Sequence, residues 1–409
     1  VIQGRKPELL HVVLGGSARE KAIHRVDEVM AYYRRVKTEF EQAVGLGPVP
    51  VPAPVYPPVA TYPEPVEHCE VCRWAADCAT RRRSDDDLSL VAGASSRHRA
   101  ALKSRGIRTR RALGGLELLV NPRVEGIGRD ALGRIREQAR IQVESDGLPA
   151  PRWELLPLDR DKPGELIRDR GLLGLPVPSR GDLFLDLEGD PFALDDGVDY
   201  LFGLLEPGEP ETDERWLDAD GVSGEPVARF HAFWSIGEDG QVSLAGEKAA
   251  FERTIDLIMA RWRVDPGLHV YHYAAYEHTA LGRLAQRYGT RETEVDDLLR
   301  GKVLVDLYRV VRQGLRIGVE SYSIKRLEDL YGFHRTQNMK DANSSIVAFE
   351  EWLELEPDKA AEAGPAILDD IVGYNRDDVI STWKLRDWLE ERRADLERRE
   401  GGPLPRLEE

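Results

Sequence analysis

The stretch 181–190, Gly-Asp-Leu-Phe-Leu-Asp-Leu-Glu-Gly-Asp, constrains this 409-residue chain more than any other. Its apolar residues predict a buried β-strand. Because side chains alternate along a strand, Asp186 and Glu188 should project from the same face. Two adjacent carboxylates repel each other and are costly to bury unless a cation lies between them. Their oxygens suit a hard ion such as Mg²⁺ or Mn²⁺. The alternative is a strand end with solvated acids.

Two later segments place further acids at defined positions. A strand predicted at 268–272 leads into a helix over 274–288, which puts Glu277 in that helix's first turn. The alternative role for an acid there is favourable interaction with the helix dipole. The last predicted helix, 366–398, carries Tyr374 and Asp378, which are four residues apart and therefore share a face. The adjacent Asp377 should point elsewhere, toward solvent.

In this order, the acids resemble those of the DEDD group of 3′–5′ exonucleases. The chain is most similar to the branch whose second motif reads Tyr-Asn-x-x-x-Phe-Asp, with Tyr271, His272, Tyr276 and Glu277 in the corresponding places. The segments 305–307 and 321–328 also resemble that branch. The resemblance covers about 181–393 and implies an α/β fold, namely a ribonuclease-H-like mixed sheet with flanking helices. The sequence departs from the family by carrying Glu277 where most members have Asp, and His272 where many have Asn.

The resemblance also implies a mechanism and its residues. Two Mg²⁺ or Mn²⁺ ions about 4 Å apart would be held by Asp186, Glu188, Asp378 and Glu277. Tyr374 would orient the attacking water. Because Glu reaches about one methylene further than Asp, Glu277 could shift the metal geometry and reduce activity.

Three cysteines lie within ten residues, in the pattern C-x₂-C-x₅-C formed by Cys69, Cys72 and Cys78. Three thiols this close predict a metal site, which needs a fourth ligand. His68 could complete a zinc site, and a cysteine upstream of Val1 is the alternative. An odd, small number of cysteines does not fit a secreted disulfide framework and predicts a cytoplasmic, reducing compartment.

This cysteine spacing resembles the iron–sulfur segment of RecB-like PD-(D/E)XK nucleases, and the opening residues 2–16 resemble the strand after that family's last active-site helix. The resemblance implies a 4Fe-4S cluster, with zinc as the alternative. It also implies an upstream nuclease core and a downstream helicase in one polypeptide.

A basic segment, residues 97–115, contains no acid although the chain as a whole has a net charge of −16. It resembles a helix-hairpin-helix element, in which a glycine turn presents backbone N–H groups to a phosphate. The alternative is a solvated basic face that pairs with acids such as those at 85–87. The predicted nucleic-acid-binding residues are Arg97, Arg99, Lys103, Arg105, Arg108, Arg110 and, further along the chain, Lys325.

The chain is long enough for several domains, and no apolar run approaches the roughly 18 residues that cross a membrane. The predicted organisation is a RecB-like remnant with the cysteines, a helical region, a linker, the exonuclease-like domain and a tail: 1–85, 86–148, 149–180, 181–395 and 396–409.

The leading hypothesis is a two-metal 3′–5′ exonuclease that acts on single-stranded or frayed ends of DNA or RNA. One alternative is an inactive nucleic-acid clamp or scaffold between a nuclease and a helicase. Another is a zinc-bound regulatory module.

Overall fold

The computed structural model describes residues 7–13, 21–43, 62–70, 72–117, 124–162, 165–194, 197–207, 216–218, 227–237, 239–337, 342–355 and 357–407. The chain forms two compact units, Val1–Glu67 and His68–Glu409. The predicted proline-rich connector at 48–65 lies mostly outside the described residues, as does the predicted strand end at 14–16.

The first unit contains a hairpin and a helix. Strand β1 (Leu9–Val13) pairs antiparallel with β2 (Lys21–Arg25), which leads directly into α1 (Val26–Ala43). The apolar pattern of the sequence predicts a strand at 8–14 and a helix at 25–45, where β1 and α1 lie. The predicted apolar stripe of α1 is largely exposed within this unit, with Phe40 at 60% exposure.

The second unit begins with short helices: α2 (Ala75–Ser84), α3 (Ser96–Ser104), α4 (Arg110–Gly114) and α5 (Arg129–Glu144). Two of these helices start at a residue whose side chain caps the first turn. The Ser95 hydroxyl accepts from the His98 N–H at the start of α3, and the Thr109 hydroxyl accepts from the Ala112 N–H at the start of α4. The apolar faces of α3, α4 and α5 enclose a small core around Leu102 and Leu113, to which Leu88, before α3, also contributes. A mostly helical region was predicted here.

Residues 149–180, predicted to be a linker, lie within the second unit. They form β3 (Trp153–Leu155), β4 (Arg160–Lys162) and β5 (Glu165–Leu166), and β3 pairs antiparallel with the later strand Leu315–Ile317. Leu172 and Leu175 are buried in the main core. Proline and glycine suggested a linker, but leucines at spaced positions supply the burial that holds the segment in place.

The central sheet has six strands and carries the candidate site. Its strands are β6 (Leu183–Asp190), β7 (Val198–Pro207), β8 (Trp216–Asp218), β9 (Val227–Trp234), β10 (Val270–His272) and β11 (Leu304–Asp306). The order is β11-β10-β6-β7-β9-β8, in which β10 runs parallel to both β6 and β11, while β7 and β9 continue antiparallel. The predicted α/β class with a mixed sheet is therefore confirmed.

Helices cover both faces of this sheet. In chain order they are α6 (Leu244–Val264), α7 (Tyr276–Tyr288), α8 (Glu292–Arg300), α9 (Leu307–Gly314), α10 (Ala342–Leu353) and α11 (Pro357–Glu400), with β12 (Leu315–Ile317) after α9. The sequence pattern predicts a helix over 302–311, but Leu304–Asp306 form β11 and helix α9 begins only at Leu307. A strand of three residues is too short to show alternation. No helix among the described segments is both long and apolar enough to span a bilayer.

The alternation along β6 decides which helix meets the acids. Leu183, Leu185 and Leu187 pack in a core with α6, α7 and α8. Phe184 points the other way, into the core that includes Trp383 of α11. Because side chains alternate, Asp186 and Glu188 lie on the face of Phe184, toward α11.

The C-terminal segment, predicted as a tail over 396–409, is also held in the unit as far as Leu407. The guanidinium of Arg393 donates to Leu404 O at 2.7 Å, and that of Arg406 makes a two-pronged ion pair with Glu390. Helix α11 continues to Glu400, two residues beyond its predicted end.

Candidate metal centre

Three predicted carboxylates converge. Asp186 and Glu188 come from β6, and Asp378 comes from α11, and one oxygen from each lies within 4.8 Å of the others. Among the described residues this is the single group of three or more His, Cys, Asp or Glu side chains at such a distance. Glu188 and Asp378 are buried and Asp186 is half-buried.

The environment disfavours ionisation of Asp186 and Glu188. Burial raises the pKa of Asp186 well above its ordinary value, and the charges of Asp378, Glu188 and Glu277 raise it further. Burial, followed by the charge of Asp378, raises the pKa of Glu188 to about 8. Lys325 opposes both shifts. A cluster of buried acids with raised pKa values is a site at which a divalent cation would replace protons.

Glu277 lies beside this group and not within it. It is in the first turn of α7 and only 3% exposed, and its charge acts on Asp186. The Glu277 Oε2 atom lies 3.3 Å from His272 Nδ1, and the same nitrogen lies 2.8 Å from the carbonyl oxygen of Ala274. Because a carbonyl oxygen can only accept a hydrogen bond, Nδ1 donates its hydrogen to Ala274 and not to Glu277. Oε2 is therefore buried with no hydrogen-bond partner among the described residues, and it is available as a further ligand.

Tyr374 and Lys325 lie against the carboxylates. Tyr374 shares the face of α11 with Asp378, as predicted from their spacing, and is 2% exposed. The Lys325 ammonium donates to its hydroxyl and lies 4.3 Å from its ring centroid. Lys325, predicted to bind nucleic acid, is therefore part of the carboxylate site.

Asn375 is a site residue that sequence reasoning did not identify. Its Nδ2 donates to Asp186 Oδ2 at 2.7 Å. It reaches that position because residue 203, opposite Asp186 on β7, is a glycine, and a Cβ there would overlap Asn375 Oδ1. Asn375 and Asp378 are three apart on one helix, so helical spacing offered a signal.

Arg335 is a second residue that was missed. Its guanidinium donates to Asp378 Oδ1 and to Glu328 Oε1, both at 2.6 Å. It lies in an irregular segment between the 3₁₀ turn Glu328–Leu330 and α10, where no periodic pattern points to a site. Arg335 and Lys325 together place two cations against the acids.

Two other acids have structural roles. Asp377, predicted to face solvent, is instead 1% exposed and accepts from the backbone N–H groups of Thr336 and Gln337 at 2.8 and 3.1 Å. Asp306 caps α9, accepting from Tyr308 N at 2.9 Å, and also accepts from Ala274 N at 3.0 Å. Asp377 thus fixes the backbone that carries Arg335.

Several side chains of the basic segment, residues 97–115, form hydrogen bonds or ion pairs within the protein. Arg99 is buried and donates to Ala94 O, so its predicted contact with nucleic acid is not available in this structure. Lys103 lies 3.0 Å from Asp87, and Arg110 pairs with Asp86 and Asp146. This is the alternative pairing with acids near 85–87 that the sequence left open. The exposed members of the predicted set are Arg97, Arg105 and Arg108.

The cysteines lie at the start of the second unit. Cys69, Cys72 and Cys78 are half-buried and form no disulfide. Although all three and His68 are among the described residues, their thiols do not come within 4.8 Å of one another as a group, nor do they form one with His68. The predicted cluster site is therefore not assembled in this part of the structure.

The donor set fits Mg²⁺ or Mn²⁺, because all its ligand atoms are carboxylate oxygens and the buried charges need a counter-cation. No curated protein and no solved structure matched the chain. A family model described as RNase_H superfamily matches residues 183–390, which include β6 through most of α11 and every acid of the centre. With its sheet order, its carboxylate cluster and a match over half its length, the chain belongs to the RNase_H superfamily, and its site is that of a metal-dependent nuclease.

Proposed function

We propose that this chain is a 3′–5′ exonuclease that hydrolyses phosphodiester bonds at single-stranded or frayed ends of DNA or RNA. The observation that carries the proposal is the convergence of Asp186, Glu188 and Asp378 within 4.8 Å, with Glu277 and Tyr374 beside them. The order of these residues along the chain resembles that of the DEDD exonucleases, with Glu277 where most members have Asp.

The carboxylates, Tyr374 and Arg335 would each have a separate role in hydrolysis. Asp186, Glu188 and Asp378 would hold the ions, and Glu277 would extend the set. Divalent ions bound there would lower the pKa of a water and stabilise the leaving oxygen. The Tyr374 hydroxyl, held by Lys325, would orient the attacking water. Arg335, held by Glu328, is placed to neutralise charge on the phosphate once Asp378 turns to an ion.

The test is hydrolysis of 3′-labelled and 5′-labelled single strands with Mg²⁺ or Mn²⁺. In Asp186→Asn the loss of a ligand should lower kcat on the order of 10²-fold or more. Asp329→Asn, which alters an exposed acid nearby, is the matched control and should leave the rate unchanged. Release of a labelled mononucleotide first from the 3′ end supports the polarity. Full activity in Asp186→Asn would refute the assignment.

An inactive nucleic-acid clamp is the second candidate, and one contact favours it. Arg335 and Lys325 already balance part of the negative charge, and Arg335 occupies an oxygen of Asp378. Calorimetric titration with Mn²⁺ separates the two proposals. The exonuclease requires binding that Asp186→Asn weakens, whereas a clamp with internal cations would show no binding at this site.

We further propose that residues 1–85 are the remnant of a RecB-like nuclease domain and that Cys69, Cys72 and Cys78 hold a 4Fe-4S cluster, with zinc as the alternative. The support is the cysteine spacing. An upstream nuclease core and a downstream helicase belong to the same proposal. Anaerobic purification followed by iron, sulfide and zinc analysis distinguishes the two metals.

A further inference from the structure

We propose that a cavity beside the carboxylate site, called here the anion pocket, binds a backbone phosphate of the same nucleic acid strand. This inference rests on the proposed nuclease function. The anion pocket has a volume of about 380 Å³, and its lining includes His272, His278, Lys302, Asp306 and Arg309. It lies where the parallel strands β10 and β11 end, at His272 and Asp306. Crevices at the carboxyl ends of parallel strands are common ligand sites.

Three basic side chains that line the anion pocket have no side-chain partner among the described residues. In the part of the chain that the structure describes, Lys302, Arg309 and His278 make no side-chain hydrogen bond or ion pair, and all three are exposed. Nearby arginines behave differently: Arg283 pairs with Asp199 at 2.7 Å and Arg291 with Asp256 at 2.7 Å. In a chain with 73 acids and 57 Lys and Arg, cations without an acid partner around one cavity indicate an anionic ligand.

Asp306, an acid that lines the anion pocket, already has hydrogen-bond donors within the protein. Asp306 accepts from the N–H groups of Ala274, Tyr308 and Arg309, at 3.0, 2.9 and 3.4 Å. Its negative charge is thus offset by three donors and by the N-terminus of α9. A second acid, Asp169, also lines the anion pocket and is exposed to solvent.

The position of the pocket identifies the source of the phosphate. His272 is shared, because it lines the anion pocket while its Nδ1 lies 3.3 Å from Glu277 Oε2. A strand whose scissile bond lies at the carboxylates can therefore place another phosphodiester at Lys302 and Arg309. Phosphate contacts of this kind position a strand without reading its sequence.

The backbone conformation at Lys302 allows a substitution that removes the side chain without strain. Its φ is +55°, a conformation that favours glycine, so Lys302→Gly removes the cation without straining the chain. The test compares wild type with Lys302→Gly/Arg309→Gln. The control is Lys248→Gln/Arg253→Gln, which removes two cations of α6 that likewise pair with no described acid. Kinetics are measured on a dinucleotide and a decanucleotide, and affinity for the decanucleotide by fluorescence anisotropy across salt concentrations.

We expect the pocket variant to raise KM for the decanucleotide about tenfold or more, because it can no longer donate charged hydrogen bonds to the phosphate, and to leave the dinucleotide unaffected. The slope of log affinity against log salt should fall by about 0.7 for each phosphate that the variant no longer neutralises. Unchanged affinity and slope would overturn the proposal. Equal losses on both substrates, with inorganic phosphate competing, would assign the pocket to free phosphate and overturn the strand contact. If the wild type hydrolyses nothing, the proposed function fails, while anisotropy still tests the pocket.

Discussion

Glu188 shows how a single side chain can link metal binding to pH. Its carboxyl group is buried next to Asp378, and its pKa rises from 4.5 to about 8. A carboxyl with a raised pKa binds its proton more tightly in the folded state than in the unfolded state. The stability it contributes is complete below about pH 4.5 and is lost as the pH rises through about 8. Without metal, the folded protein should therefore become less stable over this range.

Glu188→Gln tests this linkage, because the amide mimics the neutral carboxyl. In EDTA, the free energy of unfolding of the wild type should fall relative to that of the variant as the pH rises from about 4.5 to about 8. Mg²⁺ should reverse the trend for the wild type alone, since binding at high pH no longer displaces a proton. Urea unfolding at several pH values measures both effects. Parallel curves for the two proteins would contradict the assigned burial of Glu188.

At the scale of elements, β7 and α11 approach closely only because residue 203 is a glycine. Gly203→Ala would make a Cβ overlap Asn375 Oδ1. Asn375 would have to move, and Asp186 would lose its donor at 2.7 Å. We expect a loss of about 10- to 100-fold in metal affinity or activity, the usual effect of removing a partner of a metal ligand, and a destabilisation of about 1–3 kcal/mol.

Two controls separate the site from the packing. Gly282→Ala on α7 meets no atom within 4 Å and should be neutral or stabilising. The double variant Gly203→Ala/Asn375→Ala relieves the overlap, so thermal unfolding should recover while activity stays low. Recovery of activity as well would mean that Asn375 does not support Asp186.

Elements with a clear period could be predicted from the sequence, and contacts between distant elements could not. Alternation along β6 placed Asp186 and Glu188 on one face, and spacing of four placed Tyr374 with Asp378. The position of Arg335 depends on Asp377 accepting two backbone N–H groups, a long-range contact with no local signature. Helix α11 begins at Pro357, nine residues before the predicted start, and contains Pro365, a residue type that ordinarily ends or kinks a helix.

At the scale of the whole molecule, residues 68–409 behave as one compact unit, although composition suggested several domains and linkers. Leu172 and Leu175, in the supposed linker, are at most 2% exposed. Gln138 of α5 donates to Ile317 O at 2.8 Å. Arg393 is 1% exposed and donates to Leu172 O on one side and Leu404 O on the other.

A chain limited to residues 181–395 should therefore be much less stable than residues 68–409. Removing the two leucines alone costs about 1.5–3 kcal/mol each, and the buried guanidinium of Arg393 would have neither carbonyl partner, which adds a desolvation penalty. Calorimetry should show one cooperative transition for 68–409, and for 181–395 a Tm lower by at least about 10 °C or no transition. Equal Tm values would mean that residues 181–395 fold independently and that residues 149–180 act as a linker.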